Sequence, residues 1–274
     1  MNSPYLIDRP AIIAFSGGRT SGFMLRRIID AFGGTLPEDV IPCFQNTGLE
    51  HCATYSFVRE VEERWSVPIK WLEYRRTEEG PTFAEVRPET ASRKGEPFDA
   101  LIDSRKSLPN PVTRFCTSEL KIRTVYRYTR ALGWDEFTMA LGLRADEPRR
   151  VAKLKGDRAA EHTCAPMSAA GHKIEDVRAF WDAQPFDLRL PDNDSAFGNC
   201  VGCFLKSRAR LQRVARREPE AFDWWIKQEA KAIGESAAGS RFRIDRPSYA
   251  SQLQEAKAQG VMYEDDLEPC FCTD

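Results

Sequence analysis

Ala11-Ile12-Ile13-Ala14-Phe15-Ser16-Gly17-Gly18-Arg19-Thr20-Ser21 is the stretch whose reading decides the fold. Its five apolar residues stop at a Ser-Gly-Gly turn, the pattern of a short strand buried on both faces of a parallel sheet. Ser21 to Phe32 follows at helical spacing, with Phe23, Met24 and Ile28 interleaved with Arg26 and Arg27. Gly33-Gly34 ends that helix as helix C-termini commonly end. A strand, a glycine turn and a helix in this order can hold an anion. The glycines allow tight backbone without a Cβ clash. The turn's N–H groups, the Ser16 and Ser21 hydroxyls and the positive end of the helix can converge on one phosphate. The bland alternative is an ordinary Ser/Gly turn.

Moving outward, Val40 to Phe44 reads as a second strand, closed by Asn46-Thr47-Gly48. Glu50 to Trp65 reads as an amphipathic helix and Ile69 to Tyr74 as a third strand. This alternation predicts an α/β protein with a doubly wound parallel sheet. Thr77 to Pro111 is polar, carries five prolines and has no clean period, so it reads as a long excursion, a lid or substrate loop. Cys116 to Leu132 returns to helix, Phe137 to Leu141 is a fourth strand, and Lys173 to Asp182 is a further helix. From Gly198 the character changes to helices at Lys206–Arg217 and Pro219–Ile233. The expected organisation is a nucleotide-binding domain over residues 1–195 and a small, mainly helical, cysteine-containing lobe over residues 196–274.

The chain has 274 residues, 42% hydrophobic, enough for one substantial core. Lys+Arg (40) and Asp+Glu (41) nearly cancel, so net charge gives no global signal for nucleic acid or membrane. No apolar run approaches the ~20 residues of a membrane helix. Met1 to Pro10 lacks the basic-then-apolar layout of a signal peptide. The expectation is a cytoplasmic protein that makes no membrane contact. In a reducing compartment its eight cysteines point to metal ligands, reactive thiols or core residues rather than a disulfide framework.

Ser16 to Ser21 resembles the pyrophosphate-binding loop SGGxDS of the ATP pyrophosphatase superfamily, whose fold is of the adenine nucleotide alpha hydrolase type. Three further segments resemble the phosphoadenosine-phosphosulfate (PAPS) reductase family within it. Asn46-Thr47-Gly48 matches that family's "(D/N)TG" turn, and Arg114-Phe115-Cys116-Thr117-Ser118-Glu119-Leu120-Lys121 its "R-x-C-T-x-x-L-K" segment. Gly142 to Arg150 matches "G-x-R-x-x-E-x-x-R". The four lie in matching order between Ala11 and Leu190. Thr20 stands where the family carries Asp, a departure that touches magnesium handling at that corner. Sulfonucleotide reductases usually have a degenerate loop here, because their substrate lacks a pyrophosphate. This chain keeps both glycines and both serines, which favours ATP with Mg.

The resemblance implies that Ser16, Gly17, Gly18, Arg19, Thr20, Ser21, Asn46, Thr47, Gly48 and Arg114 bind the nucleotide. Arg149 and Arg150 compete for one further binding role, and Lys121 and Arg144 act on the reacting phosphate. Arginine's planar fork suits phosphate oxygens and lysine supplies a point charge; the bland alternative is a solvated charged surface.

Cys200-Val201-Gly202-Cys203 and Cys270-Phe271-Cys272 are two thiol pairs separated by 66 residues. Together they could form a four-sulfur site, with Cys116 as a fifth participant. A [4Fe–4S] cluster is modestly favoured there over zinc; the alternative is unrelated thiol pairs. Lys206 to Arg217 carries six basic residues and could grip nucleic acid, or could be an ordinary amphipathic surface helix.

The leading expectation is an ATP-using, sulfur-handling enzyme that adenylates an acceptor, releases pyrophosphate and then transfers sulfur from a donor protein or small thiol. One rival is a thiol-dependent reductase of PAPS or adenylyl sulfate, with Cys270 or Cys272 as nucleophile. The other is a non-catalytic nucleotide- or nucleic-acid-binding protein with a structural zinc.

Overall fold

The computed structural model describes residues 3–154, 163–233 and 240–258. Six strands form one sheet: β1 (Ala11–Ala14), β2 (Val40–Asn46), β3 (Lys70–Thr77), β4 (Gly80–Val86), β5 (Thr138–Ala140) and β6 (Thr163–Cys164), in the order β4-β3-β2-β1-β5-β6. Every neighbouring pair is parallel except β3–β4. The chain therefore steps outward from β1 through β2 to β3, then crosses back to place β5 on the other side of β1. This is a Rossmann-like α/β arrangement, with its reversal point between β1 and β5.

Helices cover both faces. The first half supplies α1 (Arg19–Ala31), α2 (Cys52–Trp65), α3 (Glu96–Arg105) and α4 (Thr124–Ala131). The second half supplies α5 (Pro148–Leu154), α6 (Pro166–Ala169), α7 (Ile174–Asp182), α8 (Arg208–Arg217), α9 (Asp223–Ile233) and α10 (Tyr249–Ala258). Because side chains alternate along a strand, Ala11, Ile13 and Phe15 join the core built with Phe23, Ile28, Phe57, Val58 and Trp181 of α1, α2 and α7. Ile12, Cys43 and Leu72 face the opposite way, onto Val125 and Tyr128 of α4. Among the described residues, no helix is long and apolar enough to cross a membrane.

The Thr77–Pro111 excursion is not a structureless loop. Its first part turns back as β4, an antiparallel edge strand paired with β3 from Thr77↔Gly80 to Trp71↔Val86. Pro81 is tolerated because the edge needs no donor there. Its later part forms α3, with Pro97 in the first turn and Phe98, Leu101 and Ile102 buried on one face. The segment starting at Cys116 also differs in kind from the expected α-helix. Thr117–Arg123 is a π-helix that runs directly into α4.

The C-terminal helices share the main core with the sheet. Trp225 is surrounded by Phe98, Phe204, Phe242 and Tyr249, stacking on Tyr249 at 5.3 Å. Trp224 and Gln228 donate to the Asp99 carboxylate of α3, each at 2.8 Å. The two indoles also rest against glycines: a Cβ at Gly95 would overlap Trp224, and one at Gly202 would overlap Trp225. Gly202→Ala is therefore expected to lower stability by about 1–3 kcal/mol through overpacking against a buried indole. Urea denaturation compared with wild type checks this.

Candidate functional site

The end of β1 turns sharply into α1. Gly17 takes φ +77, and a Cβ there would lie 2.6 Å from Thr54 Cγ2 and 3.0 Å from Val58, so only glycine fits both the conformation and the space. Ser21 Oγ donates to the Gly18 carbonyl at 3.0 Å and accepts from Ser16 N at 3.2 Å, while the two serine hydroxyls sit 3.0 Å apart. These bonds fix the loop before any ligand arrives. Among the described residues the N–H groups of Gly17 and Gly18 have no acceptor. They are available at the N-terminus of a 13-residue helix. Arg19 contributes backbone here. Its guanidinium is turned onto Asp187 in a bidentate pair at 2.7 Å and 2.7 Å, and also reaches the Leu188 carbonyl at 2.8 Å.

The turn lies at the reversal point, so β5 delivers the next segment beside it. A Cβ on Gly142 would approach Ser21 Cα to 3.4 Å. Arg144 Nη1 donates to Thr20 Oγ1 at 3.2 Å, and its Nε to Asp146 at 2.9 Å. The structure thus brings together the first and last of the four sequence motifs. It also separates Arg149 from Arg150: Arg150 is paired with Glu147, which also accepts from Arg144 N at 3.0 Å, whereas Arg149 is exposed.

Asn46 ends β2, and Thr47 and Gly48 follow it at the same sheet edge, but the polar side chains of Asn46 and Thr47 are buried and engaged. Asn46 Nδ2 donates to Glu73 at 2.6 Å and to the Ser92 carbonyl at 2.8 Å, and its Oδ1 accepts from Gly48 N at 3.0 Å. Glu50 accepts from Thr47 N, Thr47 Oγ1 and Leu49 N at 3.1, 2.7 and 3.2 Å. The turn is a braced backbone platform. Glu50 and Glu73, which make it so, carry no motif signature.

Cys116 immediately precedes the π-helix that carries Lys121, and Arg114 lies two residues before Cys116; both Cys116 and Lys121 are half-buried. The wide turn is held by Glu119, a buried carboxylate that accepts from Arg105 at 2.7 Å, Arg123 at 2.9 Å and Arg127 at 2.9 Å. One side chain thereby ties α3, the π-helix and α4 together. Wide helical turns of this kind recur at functional sites.

Cys200 and Cys203 sit on a tight turn closed by Cys203 N donating to the Cys200 carbonyl at 3.1 Å. That turn docks on the platform after β2: Val201 N donates to the Leu49 carbonyl at 2.9 Å, and Cys200 Sγ lies 3.3 Å from Thr47 Oγ1. The Cys200–Cys203 turn therefore stands against the Thr47–Leu49 turn. Cys270 and Cys272 lie outside the described residues. Among the described residues no three His, Cys, Asp or Glu side chains group closely enough to hold a metal.

The basic segment 206–217 has a different character from its sequence. Lys206 is buried before the helix begins, and its ammonium donates to the carbonyls of Ala196, Gly198, Cys200 and Val201 at 2.6–2.9 Å. Arg208 pairs with Glu255 at 2.6 Å, Arg213 with Asp194 at 2.6 Å and Arg217 with Asp192 at 3.3 Å. These cations organise the lobe. His51 connects it to α2: Nδ1 accepts from Ala53 N at 3.0 Å, which leaves Nε2 to donate to Glu218 at 3.0 Å.

Burial alone would raise the Glu119 pKa, but the hydrogen bonds and charges of Arg127, Arg123 and Arg105 outweigh it and hold the carboxyl below its ordinary value. A folded-state pKa below the unfolded one means that the stabilisation is complete above about pH 4.3 and is lost as pH falls through the folded value. Glu119→Gln is expected to cost about 1–3 kcal/mol at neutral pH, less than a fully buried pair because Arg105 and Arg123 are solvent-screened. It should also flatten the acid limb of stability against pH. Chemical denaturation across pH 2–7 checks both.

No protein-family model matches the chain. The chain is 32% identical over 223 residues to the "Uncharacterized nin region protein ORF290" of Escherichia phage lambda, a match covering 76% of this chain and 70% of the phage protein. At that identity and coverage the chain belongs to the same family as the phage lambda nin region protein ORF290.

Proposed function

We propose that this chain is a PAPS-reductase-type enzyme that binds ATP with Mg, adenylates an acceptor and then exchanges the activated oxygen for sulfur. The observation that carries the reading is the meeting of two separate motifs at the sheet's reversal point. The Ser16–Ser21 turn offers backbone N–H donors at a helix N-terminus, and Arg144 reaches it from the end of β5 at Thr20. This pairs an anion cradle with a cation next to it, the arrangement needed to bind a polyphosphate tail and to neutralise charge developing at its α-phosphorus.

In the first step an acceptor oxygen attacks the α-phosphorus. The bond from that phosphorus to the bridging oxygen breaks, and pyrophosphate leaves with the electron pair onto the Ser16–Ser21 turn. In the second, a sulfur nucleophile bonds to the acceptor atom and AMP departs with the acceptor's former oxygen, so the sequence is redox-neutral. Arg144 and Lys121 act by position and charge. Thr20 places no carboxylate in the turn, so a magnesium ion would be carried mainly by the phosphates themselves.

An iron–sulfur cluster would supply a site for the transferring sulfur. Cys200 and Cys203 provide two suitable thiols beside the Thr47 platform, with Cys270 and Cys272 proposed as the others. Pyrophosphate release from ATP on addition of oxygen acceptors and a sulfur donor tests the reading. Arg144→Ala should lower kcat by about 10²–10³-fold. Absence of pyrophosphate release with every acceptor class would sink the proposal, and sulfite formation from PAPS with a thiol would reassign the chain to reduction.

A further inference from the structure

Residues 105–130 carry seven lysines and arginines against one acidic residue, Glu119, in a chain whose overall charge is -1. Glu119 is buried and already shared by Arg105, Arg123 and Arg127. One carboxylate balances one of those three guanidiniums, so the segment keeps a positive charge at the surface. Asp103, just before it, is paired with Lys231. The cations of 206–217 differ in placement: Arg208, Arg213 and Arg217 meet Glu255, Asp194 and Asp192, and Lys206 meets buried carbonyls. The π-helix and α4 instead run as one helical stretch from Thr117 to Ala131 with their cations outward. Arg123, Tyr126 and Arg130 are exposed at i, i+3 and i+7, one stripe of that stretch. The Tyr126 ring is braced edge-on by Phe137 at 5.2 Å yet is 39% exposed, with Ile122 exposed beside it.

We propose that this stripe binds a single strand of nucleic acid, with phosphates on Arg123 and Arg130 and an unpaired base on the Tyr126 ring. The two arginines are separated by about 10 Å along the helix, so they suit a ligand of repeating charge rather than one small anion. The ring between them favours a polynucleotide over an acidic peptide. A nucleic acid alternates phosphates with flat faces that stack on aromatic side chains, whereas a peptide of carboxylates offers charge alone. A base inside a duplex has no face to give, which selects the single strand. The inference stands on a face outside the Ser16–Ser21 turn and does not depend on ATP binding.

Fluorescence anisotropy with a labelled, mixed-sequence single strand of about 12 nucleotides, made as DNA and as RNA, tests it. Wild-type protein should bind at least one of the two, and the affinity should fall steeply between about 50 and 200 mM salt. Arg123→Gln/Arg130→Gln should weaken binding about tenfold or more and lower the salt slope by about two. Tyr126→Leu, which keeps an apolar side chain, should bind about tenfold more weakly with its salt slope unchanged. Arg217→Gln removes a cation from the other basic segment and should bind within about twofold of wild type. The duplex of the same sequence should bind about tenfold more weakly than the single strand. Melting temperatures close to wild type confirm that the variants are folded.

No anisotropy change with either strand up to about 100 µM protein at low salt overturns the proposal. So does an unchanged salt slope in the double arginine variant, which would place the contact elsewhere. Binding by Tyr126→Leu within about twofold of wild type removes the base contact and with it the choice of ligand. Polyglutamate of similar length that competes as well as the unlabelled strand would also overturn it, because the face would then select charge alone.

Discussion

Two connections leaving adjacent parallel strands toward opposite faces of a sheet cannot both cover the space beyond the strand ends. In this protein that constraint falls between β1 and β5, and the rest of the molecule is arranged around the opening it leaves. The chain exits β1 through a turn that must be glycine at position 17, because Thr54 and Val58 of α2 fill the space where a side chain would stand. It exits β5 through Gly142, close against Ser21, and places Arg144 on Thr20. Close approach of the two exits is possible because neither carries bulk at the point of contact.

The second layer of organisation is a set of buried charges that shape loops rather than face solvent. Glu50 gathers the N–H groups of the turn after β2, Glu119 gathers three guanidiniums around the π-helix, and Lys206 gathers four carbonyls of the segment before α8. Each fixes irregular backbone that would otherwise need water, and each lies next to one of the segments that line the sheet's upper edge. The aromatic cluster around Trp225 then anchors the C-terminal helices to that edge through Gly95 and Gly202.

Much of this was legible in the sequence, for identifiable reasons. The apolar run at Ala11 and the Gly33-Gly34 stop mark β1 and the end of α1 because burial on both faces and positive φ (+78 and +97) each demand particular residue types. The edge strand β4 was not legible: half-exposed and polar, it has no hydrophobic period, and its proline looked like a loop marker. The helix α3 did carry a signal in Phe98, Leu101 and Ile102, masked by the surrounding prolines. The π-helix, the buried ammonium of Lys206 and the unpaired hydroxyl of Thr54 left no trace in the pattern of residue types, because each depends on how the backbone folds around it rather than on a hydrophobic period. Lys206 in particular reads as one more cation in a basic run until its surroundings are seen.

Lys206 also sets the electrical character of the loop it sits beneath. In a trans peptide unit the carbonyl and the amide hydrogen point in opposite directions. Drawing the carbonyls of Ala196, Gly198, Cys200 and Val201 inward therefore turns the partner amides outward, as Val201 shows by donating to Leu49. The lysine works as a built-in counter-ion: it polarises the loop so that its electropositive side faces away from the ammonium. Replacing it with an uncharged residue of equal size would release the inward pull, and the loop's peptide planes would be free to rotate and cancel one another's dipoles.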